Sequence, residues 1–247
     1  MSGNPAVKPV DVPTRETAAF VMSHSAAEAT VLEVGCGEGD VASVLLNRGY
    51  GVIAVDASEK VVARAQERGV PAVCATWPEF ECGAVDTVAF TRSLHHIVPL
   101  SGTIHKAREL LTKKGVLLVE DFSLYEADEK TMNWFLETLR SPAGRGLIQP
   151  DRGEFVSDLL GADDVVVAWR KCHHHDLHTI TAMTQAIAEE FNVRETCAVP
   201  YLYRYLVPAL PETPQAAEFL QGVFEEEASL GGRGDIVLIG RRIVAAL

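Results

Sequence analysis

Paired cysteines are missing from this 247-residue chain. The five it has, Cys36, Cys74, Cys82, Cys172 and Cys197, are odd in number and form no Cys-x-x-Cys. This argues against a disulfide framework or a zinc ribbon and fits a reducing interior. Long apolar runs are missing as well. None is long enough to span a bilayer, and the opening MSGNPAVKPVDVPTRE is polar, interrupted by prolines and without the apolar core of a signal peptide. Positive charge is scarce: 22 Lys and Arg stand against 34 Asp and Glu, a formal net charge of −12. Binding phosphates takes clustered Lys and Arg, so neither nucleic acid nor an anionic membrane is an expected partner. A cytoplasmic location is the expectation. There is no internal repeat and no low-complexity tract, and Glu225-Glu226-Glu227 reads as a solvated helix face.

What is present is an alternation. Short β-branched runs, TVLEVG (30–35), GVIAVD (51–56), PAVCA (71–75), VDTVAF (85–90) and GVLLVE (115–120), are followed by amphipathic segments. DVASVLLNRG and EKVVARAQERG both close on glycine, as helices often do. In SGTIHKARELLTKKG, Ser101 is placed to cap, and Ile104, Ala107, Leu110 and Leu111 form a stripe. A helix is expected from Pro13 to Ala29. This pattern predicts an α/β fold, a parallel sheet with helices on both faces. After Glu120 the pattern breaks. TMNWFLETLR reads as a helix, DVVVAW as a strand, Ile180 to Phe191 as a helix, and CAVPYLYRYLV and DIVLIGRRIV as closing strands. On such a strand Tyr201, Tyr203 and Tyr205 would share a face.

The sharpest motif is Glu33-Val-Gly35-Cys36-Gly37-Glu38-Gly39, running from a predicted strand into a predicted helix. Alternate glycines let the backbone turn tightly and approach a ligand. The next strand ends in Asp56, whose carboxylate is able to accept from both hydroxyls of a ribose. Both lie at carboxyl ends of strands, where open α/β sheets bind ligands. The spacing is G-x-G-x-G and not the dinucleotide G-x-G-x-x-G. Glu33 and Glu38 would repel a pyrophosphate, whereas they suit a ligand carrying an ammonium and a sulfonium.

These residues resemble the class I S-adenosylmethionine-dependent methyltransferases, and among them the small-molecule group that includes ubiquinone/menaquinone-type enzymes. VLEVGCGEGD is similar to the family's first motif and VIAVDAS to its acidic second strand. AVDTVAFTRSLHHI and LLTKKGVLLVEDF are similar to its fourth and fifth strands, so that the likeness is strongest over 28–122. The resemblance implies a Rossmann-like seven-stranded sheet with a lid or insertion after strand five. It further implies S-adenosylmethionine as cofactor and one domain over 1–247: a flexible N-terminus (1–12), a cofactor core (28–122), a lid (122–177), and a last helix with a closing hairpin (178–247). By the same resemblance Gly35, Cys36, Gly37 and Gly39 border the methionine part, beside Glu33. Asp56 holds the ribose, Ala57, Thr76 and Trp77 flank the adenine, and Thr91 and Arg92 meet the amino-acid end. The family often has an acid near Thr76, so this chain departs there.

An oxygen, phenolic or imidazole nucleophile gains from a base near neutrality, and histidine is the natural choice. His95 and His96 lie at the exit of strand four, and Glu120 and Asp121 end strand five on the same rim. Cys172-His-His-His-Asp-Leu-His178 holds four of the chain's eight histidines. If extended, His173 and His175 share a face, with Asp176 placed to cap the following helix. A metal site, substrate or acid–base work, and packing all remain open for this stretch, and no metal is assigned. The candidate catalytic set is His95, His96, His173, His175 and Asp121. The resulting expectation is methyl transfer to a small-molecule oxygen or nitrogen by a monomer or homodimer. The N/D-P-P-Y/F motif of many nucleic-acid and protein methyltransferases is replaced by TRSLHH. The alternatives are the same fold and cofactor serving a non-methylating reaction, or a non-catalytic cofactor-binding partner protein.

Overall fold

The computed structural model describes residues 6–173 and 177–247. Along the chain α1 (Asp11–His24) precedes β1 (Thr30–Val34), α2 (Asp40–Asn47), β2 (Gly51–Asp56), α3 (Glu59–Glu67), β3 (Ala72–Cys74) and β4 (Val85–Thr91). Then come α4 (Leu100–Leu110), β5 (Leu111–Phe122), α5 (Glu129–Arg140), α6 (Pro142–Leu147), α7 (Glu154–Leu160) and α8 (Val165–Cys172). The chain finishes with α9 (Ile180–Glu190), β6 (Asn192–Val199), α10 (Pro214–Gly232) and β7 (Gly240–Ala246). The strands form one seven-stranded mixed sheet in the order β3-β2-β1-β4-β5-β7-β6. β1 pairs in parallel with β2 and with β4, in the register Glu33↔Ala54 and Glu33↔Ala89.

The chain divides into two compact units. The core unit comprises Thr14–Phe122, Asp176–Cys197 and Arg241–Leu247; the second comprises Met1–Pro13, Ser123–His175 and Ala198–Gly240. Two hydrophobic clusters build the core unit. Leu32, Val34, Val88 and Phe90 pack with Ile104 and Ala107 of α4 and with Met183 and Ile187 of α9. Val31, Ala54 and Ala89 pack with Val21 of α1, Leu45 of α2 and Val62 of α3. Successive strand residues point to opposite faces, which is why Val31 and Leu32 fall in different clusters.

Several expectations are corrected. DVVVAW is not a strand but the start of α8. Asp164 caps it by accepting from the N–H groups of Val166 and Val167, both at 2.9 Å. Val165 and Trp169, four apart, are its buried residues, so a helical stripe overrides the strand preference of three consecutive valines. The stretch written CAVPYLYRYLV is likewise not one strand. β6 ends at Val199, and Leu202–Ala209 is a 3-10 helix, so Tyr201, Tyr203 and Tyr205 do not alternate on one strand. The run of three glutamates is not uniformly solvated: Glu225 and Glu226 are exposed, whereas Glu227 is fully buried. Its carboxylate accepts from the N–H groups of Tyr201 (2.7 Å), Leu202 (3.0 Å) and Tyr203 (3.1 Å), fixing the start of that 3-10 helix. α1 opens at Asp11, α4 closes at Leu110 with Leu111 already pairing as strand, and the cap of α9 is Thr179.

Among the described residues no helix is long and apolar enough to cross a membrane.

Candidate active site

The core unit holds a cleft of ≈ 490 Å³ at the carboxyl ends of β1, β2 and β4, lined by residues that include Gly35, Asp56, Ala57, Thr76, Trp77, Arg92, Ser93 and His96. A larger cavity of ≈ 630 Å³ lies within the second unit, against Trp134 and Phe219. Chemistry, not size, selects the candidate site, because Gly35 of the glycine loop and Asp56 of β2 line the smaller cleft.

The three glycines of the loop all have positive φ, yet each needs its missing side chain for a different reason. A Cβ on Gly35 would lie 2.3 Å from the Cβ of Ser93, so this glycine lets the exit of β4 come close. A Cβ on Gly39 would meet Val70 at 3.0 Å and Ala65 at 3.1 Å, a packing requirement. One on Gly37 would meet nothing within 4 Å. Open space over a left-handed residue leaves room for a ligand to approach the backbone. The N–H groups of Gly35 and Cys36 donate to the carbonyl of Val55, at 2.8 and 3.1 Å, tying the loop to β2. Cys36 itself is buried, and burial pushes its thiol up to about 12, which removes thiolate chemistry at neutral pH.

Asp56 is fixed on both oxygens, accepting from Gly37 N–H on Oδ2 and from Ser58 N–H on Oδ1, each at 2.9 Å. A carboxylate has about four acceptor sites, so two remain for hydroxyl donors. Trp77 is buried, its indole N–H donating to the carbonyl of Thr103 at 3.3 Å, while Ala57 and Thr76 are exposed. Glu38 is engaged in an ion pair with Arg64 and Asp40 in one with Arg68 (2.5 Å), so both acids brace the loop against α3 and its end.

Glu33 is buried in β1. Thr91 donates its hydroxyl to Oε1 at 2.7 Å, and Oε2 has no hydrogen-bond partner among the described residues. Burial pushes this carboxyl up to about 7, against the opposing effect of Thr91 and Arg92. Arg92 follows Thr91 with φ 67°, its N–H donating to the carbonyl of Glu120 at 2.7 Å. A buried acid near neutrality with an unsatisfied oxygen suits a cationic ligand.

Beyond β4 the chain makes a 3-10 turn, Leu94–His96. Its sharpest feature is His95, buried with Asp121. The imidazole Nδ1 lies 2.6 Å from Asp121 Oδ1, and the backbone N–H of His95 donates to Oδ2 at 3.2 Å. A carboxylate accepts only, so Nδ1 carries a proton, and in the neutral ring the lone pair is on Nε2. The ring of His96 is 4.0 Å from that of His95, centroid to centroid, and lines the cleft. Glu120 is committed elsewhere, accepting from Thr17 at 2.6 Å and from Arg242 at 2.7 Å.

The histidine-rich stretch divides. His173 ends α8 in the second unit with both nitrogens engaged, Nδ1 with the carbonyl of Trp169 (2.9 Å) and Nε2 with the hydroxyl of Tyr205 (2.8 Å), among the rings of Phe155 and Trp169. His178 lies in the core unit. His174, His175 and Asp176 lie outside the described residues. No group of three His, Cys, Asp or Glu placed to hold a metal occurs among the described residues.

A methyltransferase-domain family profile matches residues 14–185. The chain belongs to this methyltransferase family. Its cofactor is S-adenosylmethionine. Comparison with curated protein sequences gives no match. Among solved structures, an S-adenosylmethionine-dependent methyltransferase from Mesorhizobium loti is 15% identical at a TM-score of 0.58, over 96% of this chain and 99% of that one. The geranyl diphosphate C-methyltransferase of Streptomyces coelicolor A3(2), solved with Mg2+, geranyl diphosphate and S-adenosyl-L-homocysteine, is 14% identical at 0.53, over 99% and 85%. The [4+2]-cyclase SpnF is 16% identical at 0.56, over 99% and 85%. At such identities the likeness is one of fold.

Sequence reasoning missed three residues that line the cleft. Ser93 donates to the carbonyl of Val34 at 2.5 Å, and Ile97 and Val98 line the cleft beyond His96. All three flank the LHH motif and were legible only as neighbours of it.

Proposed function

We propose that this methyltransferase transfers a methyl group to an oxygen or nitrogen of a small molecule, as in the group that includes ubiquinone- and menaquinone-type enzymes. The observation that carries the reading is the buried His95–Asp121 pair on the turn whose next residue, His96, lines the cofactor cleft. The net charge of −12 supports a small acceptor over nucleic acid.

The residues present fit the cofactor. A cleft of ≈ 490 Å³ is of the size that takes one small ligand, and the orphaned Oε2 of Glu33 offers an acceptor to an ammonium. In this reading Gly35, Cys36, Gly37 and Gly39 border the methionine part, Asp56 accepts from the ribose, and Ala57, Thr76 and Trp77 flank the adenine. Glu33, Thr91 and Arg92 hold the amino-acid end. When bound, the cofactor supplies an electrophilic methyl group on a sulfonium. The chain's own work is then to align the acceptor, exclude water and take a proton. Nε2 of His95 receives that proton while Asp121 holds the ring in the required tautomer and stabilises the resulting imidazolium. His96 positions the acceptor at the cleft. His173, engaged on both nitrogens, packs the aromatic cluster of the second unit.

The test is a panel of phenols, enols, imidazoles and alkylamines incubated with S-adenosylmethionine, with release of S-adenosylhomocysteine as the readout. Product on one or more small acceptors is expected, with loss in His95→Ala and Asp121→Asn. Product on RNA, DNA or peptide alone overturns the reading.

A further inference from the structure

The imidazole of His178 makes no appearance in the catalytic scheme, yet its location is specific. Its backbone N–H donates to the carbonyl of His95 at 2.9 Å, and its Nε2 lies 3.0 Å from the carbonyl of Ile97. A carbonyl only accepts, so Nε2 carries the proton and donates. Two donors from one residue thus hold two carbonyls of the turn that carries His95 and His96. The same turn is also held by Asp121, which accepts from the N–H and from the ring of His95. Ser93 anchors its start to β1 through the carbonyl of Val34. A 3-10 turn of three residues has little internal hydrogen bonding of its own, and its geometry depends on such external partners.

We propose that His178 is a positioning residue of this methyltransferase: it clamps the 94–97 turn against Asp121 so that the lone pair on Nε2 of His95 keeps one direction. The inference rests on the reading of His95 as the base, but its evidence is separate, being the two hydrogen bonds from the start of the α9 region. It assigns different jobs to the two described ends of the histidine-rich stretch, with His173 packing the second unit and His178 aligning the base of the core unit. Replacing the side chain removes the bond to Ile97 while the backbone bond to His95 remains, so the expected effect is loosening of the turn and not its loss.

The test uses the full chain, 15N-labelled and saturated with S-adenosylhomocysteine, in long-range 15N–1H histidine spectra assigned by single variants. In the unsubstituted protein His178 is expected as the Nε2–H tautomer and His95 as the Nδ1–H tautomer. In His178→Ala the His95 resonances shift or split, and in His178→Gln, whose amide also donates, they return toward their original positions. With the acceptor giving most product in the panel, kcat falls about tenfold in His178→Ala, as slight misplacement of a catalytic group does. Unchanged His95 resonances in His178→Ala, or no return in His178→Gln, overturn the proposal. Should His178→Ala fail to fold, the tautomer of the unsubstituted protein still decides, because an Nδ1–H form of His178 is incompatible with the clamp. Failure of the base assignment has a different appearance: His95→Ala then turns over normally while the spectra of His178 are as described.

Discussion

His95 and His173 are both held through Nδ1, and the partners make them different groups. His95 faces a buried carboxylate, which fixes its ring through Nδ1, beside the cleft-lining His96. His173 faces a carbonyl on one nitrogen and a tyrosine hydroxyl on the other, among edge-on and tilted aromatic rings of the second unit. A carboxylate on one nitrogen fixes the ring and leaves its other nitrogen open, whereas a carbonyl and a hydroxyl engage both nitrogens and hold the ring as a packing element. In the proposed function the same side chain is thus sorted by its neighbours into a base in one unit and a packing element in the other.

The largest expected effect breaks this comparison directly. His95→Ala should lower kcat by about a hundredfold or more, in the range general-base removal costs, with affinity for S-adenosylmethionine by titration calorimetry little changed. A loss of cofactor affinity instead would make His95 a cleft element. Next comes the glycine loop. Gly35→Ala adds a Cβ at 2.3 Å from Ser93 to a backbone with φ 76°, and should cost about 3 kcal/mol in urea unfolding, combining overpacking with left-handed strain. Gly37→Ala, with open space and φ 55°, should cost only about 1 kcal/mol while still weakening cofactor binding.

Each unit also buries one carboxyl raised to about 7, Glu33 in the core and Glu227 in the second unit. Both are raised by burial, so their neutral forms favour the fold at low pH. That contribution is complete below the unfolded value of 4.5 and is lost as pH rises through about 7. Only Glu33 is expected to meet the cationic end of the cofactor, which favours the ionised carboxylate. Affinity for S-adenosylmethionine should therefore rise about tenfold between pH 5.5 and 8, and flatten in Glu33→Gln but not in Glu227→Gln. Calorimetry across that range separates the two. The smallest effect belongs to His173→Phe: turnover within about twofold of the unsubstituted enzyme, with a lowered Tm from the lost bonds to Trp169 and Tyr205. A large loss of turnover there would return His173 to the catalytic set.

The core was readable where local pattern and tertiary demand agree. β-branched runs alternating with amphipathic segments fold as the parallel strands β1 to β5 and their helices, because the central strands β1 and β4 are buried on both faces and the helices pack one face on the sheet. The glycine loop and Asp56 were readable for a related reason, since a tight left-handed turn leaves few residue choices. Outside the core the reading failed at α8 and at the 3-10 helix of 202–209. Three valines in succession favour a strand by local preference, but the Asp164 cap and the Val165–Trp169 stripe decide otherwise. Tyr201 to Tyr203 owe their conformation to Glu227, 24 to 26 residues away, and no window of sequence contains both.

By itself, then, the sequence determined the α/β class and the glycine loop with the acid at the end of the next strand, because period, glycine spacing and strand-end acids are local constraints of the backbone. Only the tertiary structure decided which histidine is paired with a buried carboxylate, which is sealed among aromatics and which clamps the turn. Those roles depend on partners brought together from 26, 32 and 81 residues apart, and a hydrogen bond is set by distance in space and not along the chain.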